Sequence, residues 1–216
     1  MRPLKIIETK DGSPTLFSEL YQATYHSIHG AVQESEHIFI KKGLEFYLER
    51  EPKEISIFEM GFGTGLNCWL TLKHSKGIKI NYEAVELIEL DKVLVNELLK
   101  NYSAGEEFKL MNACDWNKIQ NISTNFCLTK HKTDISKFNS AKKFHIIYFD
   151  AFAPETQPEL WSREVLQKMF ELLFPSGILL TYCAKGSVKR LLKEIGFRVE
   201  TLDGPPGKRE MIRAIK

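Results

Sequence analysis

The segment Ile57-Phe58-Glu59-Met60-Gly61-Phe62-Gly63-Thr64-Gly65-Leu66-Asn67 constrains the fold of this chain more than any other. An apolar run of strand character ends in glycines at alternate positions, and a helical pattern begins at once. Glycines at such a junction let the backbone turn tightly and come close to a ligand, while the first N–H groups of the helix stay free. The spacing is G-x-G-x-G, because Leu66 stands where the dinucleotide fingerprint G-x-G-x-x-G has its third glycine. No Gly-Lys-Ser/Thr follows, which excludes a P-loop. The turn implies a nucleoside cofactor seated at the head of the helix.

The rest of the chain supplies the sheet such a turn needs. Short β-rich runs (55–60, 78–86, 126–134, 144–150, 178–183) alternate with helical patterns (66–74, 90–99, 159–173, 187–195). This is the signature of parallel strands joined by crossover helices. Pro175-Ser176-Gly177 reads as a turn, and Gly196 stops the last helix. The final runs, 197–202 and 210–215, are joined by Asp203-Gly204-Pro205-Pro206-Gly207, which suggests antiparallel pairing. The expected fold is α/β and Rossmann-like: a mostly parallel, doubly wound, seven-stranded sheet closing with an antiparallel strand, as in class I methyltransferases. Residues 55–216 form this core. Residues 1–54, with a helix over 35–50, form an N-terminal extension packed on it and contributing to the substrate site. The 30 or so residues before Asp134 read as an added segment outside the core sheet.

Acids at strand ends refine the cofactor. Glu59, just before the glycines, would repel a pyrophosphate but suits the ammonium of S-adenosylmethionine. Glu86 closes the second strand, where a carboxylate can hold both ribose hydroxyls. The adenine amino group needs an acid after the third strand. Asp134 is the choice because it follows the better strand and leaves a crossover of ordinary length to Asp150; Asp115 is the alternative. Asp150 itself ends a buried-type strand, where ligands bind in open α/β sheets. Beyond it Pro154 and Pro158 stiffen the loop, Phe152 can flank a planar group, and Trp161 reads as core.

With 216 residues and 43% hydrophobic content, the chain needs no disulfide or metal staple. Cys68, Cys114, Cys127 and Cys183 have neither C-x-x-C nor zinc spacing and read as reduced core residues, so no metal is expected. No apolar run approaches the roughly 18 residues of a membrane span and no signal peptide opens the chain, which points to a cytoplasmic protein. The net charge of +2 announces no nucleic-acid partner. From Lys185 to Lys216, however, nine Lys/Arg face four acids, and Lys130 to Lys143 adds a second basic cluster.

Phe62-Gly63-Thr64-Gly65-Leu66-Asn67 and Phe149-Asp150-Ala151-Phe152-Ala153-Pro154…Pro158-Glu159-Leu160-Trp161 resemble the methyltransferase domain of MnmC-type tRNA wobble-uridine modification enzymes. So do Gly30-Ala31-Val32-Gln33-Glu34-Ser35-Glu36-His37-Ile38-Phe39-Ile40 and Gly207-Lys208-Arg209-Glu210-Met211. Ala151 stands where that family often has glycine. The resemblance implies methylation of 5-aminomethyl-(2-thio)uridine in tRNA, with S-adenosylmethionine as donor and Asp150 as the catalytic residue. It places Gly61, Phe62, Gly63, Thr64, Gly65 and Asn67 with Glu59, Glu86 and Asp134 at the cofactor. Glu34, Phe152, Pro154, Lys208 and Arg209 fall on the substrate side. The resemblance implies a stand-alone methyltransferase, so that the flavin step many such enzymes carry in a fused domain comes from a separate FAD-dependent oxidoreductase acting upstream or is not needed. The rivals are a methyltransferase with another substrate, an NAD(P)-dependent oxidoreductase and a non-catalytic RNA-binding module. The G-x-G-x-G spacing and the lack of a Tyr-x-x-x-Lys pair oppose the oxidoreductase.

Overall fold

Near-continuous apolar runs become strands covered on both faces. A computed structural model of the chain describes residues 4–102 and 105–216; the first three residues of the expected 1–54 extension lie outside it. That extension holds a small antiparallel sheet absent from the sequence reading: β1 (Leu4–Glu8), β2 (Pro14–Ser18) and β3 (Ala23–Thr24). A continuous helical stretch follows, from α1 (Ala31–Ser35) through a π-helical segment (Glu36–Glu45) to α2 (Phe46–Leu48). It starts earlier than the expected residue 35, directly after Gly30.

The main sheet comprises β4 (Glu54–Met60), β5 (Lys79–Glu86), β6 (Ile119–Ser123), β7 (Phe126–Lys132), β8 (Phe144–Phe149), β9 (Leu173–Thr181), β10 (Arg198–Asp203) and β11 (Glu210–Ile215). Their order is β10-β11-β9-β8-β4-β5-β7-β6. The strands from β9 to β7 run parallel, and β11 lies antiparallel between β9 and β10, as expected of the closing strand. The sheet has eight strands rather than seven, because polar β6 pairs antiparallel with β7 as an added edge. Part of the segment expected outside the core sheet therefore belongs to it.

The crossovers are α3 (Leu66–His74), α4 (Lys92–Lys100), α5 (Glu106–Ala113), α6 (Arg163–Leu172) and α7 (Gly186–Ile195). Asp91 caps α4 by accepting from the Val93 and Leu94 N–H groups, an arrangement worth about 1 kcal/mol. The expected helix 159–173 is broken at Ser162, whose side chain caps α6; before it lies only a 3₁₀ turn, Pro158–Trp161. Pro175-Ser176-Gly177 sits inside β9 as an irregularity against β8 rather than as a turn before it.

Alternate residues of β4 serve opposite cores. Ile57 packs with Tyr82, Tyr148 and Leu180 under the N-terminal helix (Ile38, Phe39, Leu44). Phe58 packs with Ile147, Phe149 and Leu179 against α6 and α7. Each such fully buried side chain stabilises the fold by roughly 1.5–3 kcal/mol. Because the first cluster includes Leu16 and Ala31, the extension shares the core of the sheet. Cys68, Cys114 and Cys183 are buried, and desolvation pushes each thiol up and away from reactivity. No helix among the described residues is long and apolar enough to cross a membrane.

Candidate active site

The chain leaves β4 towards β5 on one side and returns to β8 on the other. This reversal of strand order opens a crevice at the carboxyl ends of β4 and β8. A cavity of about 410 Å³ lies there, within the range of small-molecule sites.

Its floor is the glycine turn. Gly61, Gly63 and Gly65 all have positive φ (90°, 51° and 79°). A Cβ on Gly61 would lie 2.9 Å from the Asp150 carbonyl, and one on Gly65 would lie 2.8 Å from the Phe62 ring. The turn is held by Gly61 N–H donating to Val85 O (3.0 Å) and Gly65 N–H to Phe62 O (2.8 Å). Glu86, at the end of β5, accepts from Gly63 N–H (3.1 Å) and, through its other oxygen, from Ile88 N–H (3.0 Å). Both carboxylate oxygens are thereby fixed at the cavity wall; burial pushes this group up and the backbone donors pull it back down.

Asp150 follows β8 and reaches the cavity beside Asn67, whose Nδ2 donates to Asp150 Oδ2 at 2.8 Å. Burial pushes Asp150 up to about 7; nearby Glu34 adds to the rise, while the Asn67 bond and Lys208 oppose it. The roof comes from the extension. Tyr21 and Tyr25 contact the Phe152 ring at 4.8 and 5.2 Å between centroids, and His26 lines the wall beside them. Burial lowers His26 to about 4, so it is neutral at physiological pH.

Of the residues singled out in the sequence, Gly61, Phe62, Gly63, Asn67, Glu86, Asp134, Asp150 and Phe152 line this cavity. Asp134 does so with Ile135 and Ser136, whereas Asp115 lies on the surface paired with Lys118. Other expectations need correction. Glu59 has no exposed surface and does not line the cavity; its Oε1 accepts from Asn67 Nδ2 (2.9 Å), so it reaches the site only through Asn67. Thr64 is buried beneath the turn, Gly65 shapes it from below, and Pro154 stands outside the lining. Lys208 is not a free phosphate contact, because it pairs with buried Glu34 and lies over the Tyr182 ring at 3.8 Å. Glu34 is likewise engaged, accepting from Ser27 N–H at 2.7 Å, and neither lines the cavity. Arg209 is exposed. Tyr21, Tyr25 and His26 were missed; their clustering in an otherwise polar stretch was the available signal. Trp161 is core, donating from Nε1 to Phe152 O at 2.8 Å.

A mostly parallel sheet with this strand order, and a glycine turn floored by an acid-bearing strand end, defines a class I methyltransferase. The chain belongs to the S-adenosyl-L-methionine-dependent methyltransferase family whose sequence model matches residues 90–216. It is 28% identical to the tRNA 5-methylaminomethyl-2-thiouridine biosynthesis bifunctional protein MnmC of Burkholderia mallei, over 97% of this chain and 35% of that protein. The chain thus spans about a third of the length of the curated relatives it matches. The crystal structure of MNMC2 from Aquifex aeolicus superposes with a TM-score of 0.80 at 25% identity, covering 99% of this chain and 70% of that one. Spermidine synthase from Thermotoga maritima shares the fold (TM-score 0.58, 14% identity, 98% and 68% covered).

The residues present fit the family's cofactor. The positive-φ glycines form a cradle that a Cβ would fill, and Glu86 is already oriented at the strand end. S-adenosylmethionine supplies an electrophilic methyl group on a sulfonium.

Proposed function

We propose that this chain methylates the primary amine of 5-aminomethyl-(2-thio)uridine at the wobble position of tRNA, giving the 5-methylaminomethyl product. The observation that carries the reading is Asp150, a recessed carboxylate of pKa about 7, facing an aromatic-roofed cavity next to the cofactor turn. The names of the relatives that match nearly the whole chain point to the same nucleoside.

An alkylammonium, with a pKa near that of lysine at about 10.4, has no lone pair to attack a methyl group. The substrate must therefore bind as the neutral amine, its extra proton left in solvent. Asp150 then accepts a hydrogen bond from that nitrogen, aims its lone pair and takes up the N–H proton the nitrogen sheds on gaining the methyl group. Phe152, Tyr21 and Tyr25 present flat faces to the base and exclude water. Glu86 and Asp134 hold the ribose and adenine ends of the cofactor, while Gly61 and Gly63 let its chain approach the backbone. Alignment of this kind contributes roughly 7–11 kcal/mol in favourable systems. Arg209 and the exposed lysines of the C-terminal region meet tRNA phosphates. An upstream FAD-dependent oxidoreductase supplies the amine where the tRNA carries the carboxymethylated form.

Nucleoside mass spectrometry of tRNA from cells lacking the protein tests this reading. Accumulated 5-aminomethyl nucleosides are expected, and an unchanged profile overturns it. Purified Asp150→Ala should bind S-adenosylmethionine normally and fail to methylate that tRNA. Normal turnover would remove Asp150 from the reaction.

A further inference from the structure

Asn67 is the second residue of α3, and its side chain is almost wholly buried. Its amide nitrogen serves two acids from neighbouring strands: Nδ2 lies 2.9 Å from Glu59 Oε1 and 2.8 Å from Asp150 Oδ2. An amide carries two N–H groups, and both are spent, one on each carboxyl. With Asp150 ionised, the opposite orientation would aim Oδ1 at a carboxylate that can only accept, which sets the amide with Nδ2 towards the acids. Glu59 Oε2, Asn67 Oδ1 and the buried Tyr82 hydroxyl, which faces Glu59 from β5, are within hydrogen-bond distance of no partner among the described residues, which marks this contact as kept at some cost. Asp150 Oδ1, by contrast, takes no hydrogen bond from the described residues and belongs to a residue lining the cavity.

We propose that Glu59 and Asn67 form a positioning pair for Asp150: Glu59 locks the Asn67 amide, and Asn67 then fixes Asp150 through Oδ2 so that Oδ1 faces the substrate nitrogen. The assignment deepens the reading of Asp150 given above and rests on it. Two buried carboxylates sharing one amide do not both ionise readily. Burial, reinforced by the Asp150 and Glu86 charges and opposed by the Asn67 and Tyr82 donors, pushes Glu59 well above the carboxylate range, so Glu59 is the acid that keeps its proton while Asp150 titrates. Glu59 thus acts as a neutral acceptor, a part that glutamine can play as well. A purely structural role for Asn67, starting α3 under the glycine turn, would leave the titration of Asp150 unchanged.

The test is carbon NMR titration of the Asp150 carboxyl in aspartate-labelled full-length protein, assigned with Asp150→Asn, so that no substrate is needed. Asn67→Ala removes the donor and should raise the Asp150 midpoint by about one pH unit. Glu59→Ala frees the amide and should raise it by a similar amount, which also covers the case in which Asn67→Ala does not fold. Glu59→Gln should leave it at the wild-type value. In parallel, the acidic limb of kcat/KM should move with the NMR midpoint. An unmoved midpoint in both alanine variants overturns the proposal, as does a large fall in Glu59→Gln, which would reveal an ionised Glu59. If the midpoints move as expected but tRNA is not methylated, the functional reading fails and the positioning pair stands.

Discussion

Asp150→Asn should make the protein more stable and inactive, and the gain in stability should grow with pH. In the folded chain burial raises Asp150 from 3.8 to about 7. A carboxyl raised on folding favours the fold while protonated. That contribution is complete below the unfolded value and is lost as pH rises through the folded one. At about 1.4 kcal/mol per pH unit, ionised Asp150 costs the fold about 4 kcal/mol above pH 7, but only about 1.5 kcal/mol near pH 5. Asparagine carries no charge to desolvate, and its oxygen can still accept from Asn67. Urea denaturation of both proteins near pH 5 and pH 8.5 should therefore show the advantage of the variant growing by about 3 kcal/mol between the two. For a chain of this size that is a melting-temperature difference of roughly 6–12 °C. The comparison cancels every other titrating group common to both proteins. A stability difference that does not change with pH, or a variant less stable than wild type near pH 8.5, would refute the reasoning.

Wild-type turnover should rise as pH passes through about 7 and flatten above it, because the ionised carboxylate accepts the proton; a profile flat from about pH 5 to 9 counts against Asp150 as base. Glu86→Ala should weaken S-adenosylmethionine at least tenfold by calorimetry, since the side chain fixed between Gly63 and Ile88 N–H groups is lost; unchanged affinity rejects its ribose role. Lys208→Met leaves buried Glu34 without its cation and, the pair being only partly buried, should cost roughly 1–3 kcal/mol in urea denaturation. Arg209→Ala, at an exposed site, should leave stability unchanged and lower the salt dependence of tRNA binding measured by filter retention. Equal salt slopes for Arg209→Ala and wild type would place the phosphate contacts elsewhere.

What the sequence made legible followed from strong local signals. Glycines bounded α3, and its expected range, 66–74, is the one observed. β4, β5 and β8 were readable because buried parallel strands are written as apolar runs. β6 was not, because Ile119-Gln120-Asn121-Ile122-Ser123 is an edge strand whose outer side meets water. β1 to β3 were not legible because short antiparallel strands take their stability from one another and from the core they share with the main sheet. At the site, strand ends located Glu86 and Asp150, but burial could not be read from spacing. Glu59 sits in line with the glycine turn and still lies under Asn67. Lys208 reads as a surface cation until the fold brings Glu34 to it.

That last contact links residues 174 positions apart. It has company: His37 Nε2 lies 2.7 Å from Asp203 O, and Gly207 packs so close to the His29 ring that no side chain would fit. Together they buckle the β10–β11 turn to the segment that carries Tyr21, Tyr25 and His26. The segment that carries the roof is therefore anchored in part by contacts outside the cavity. A mutational scan confined to lining residues would pass over this buckle, because His29, Glu34, His37, Asp203, Gly207 and Lys208 all lie outside the lining.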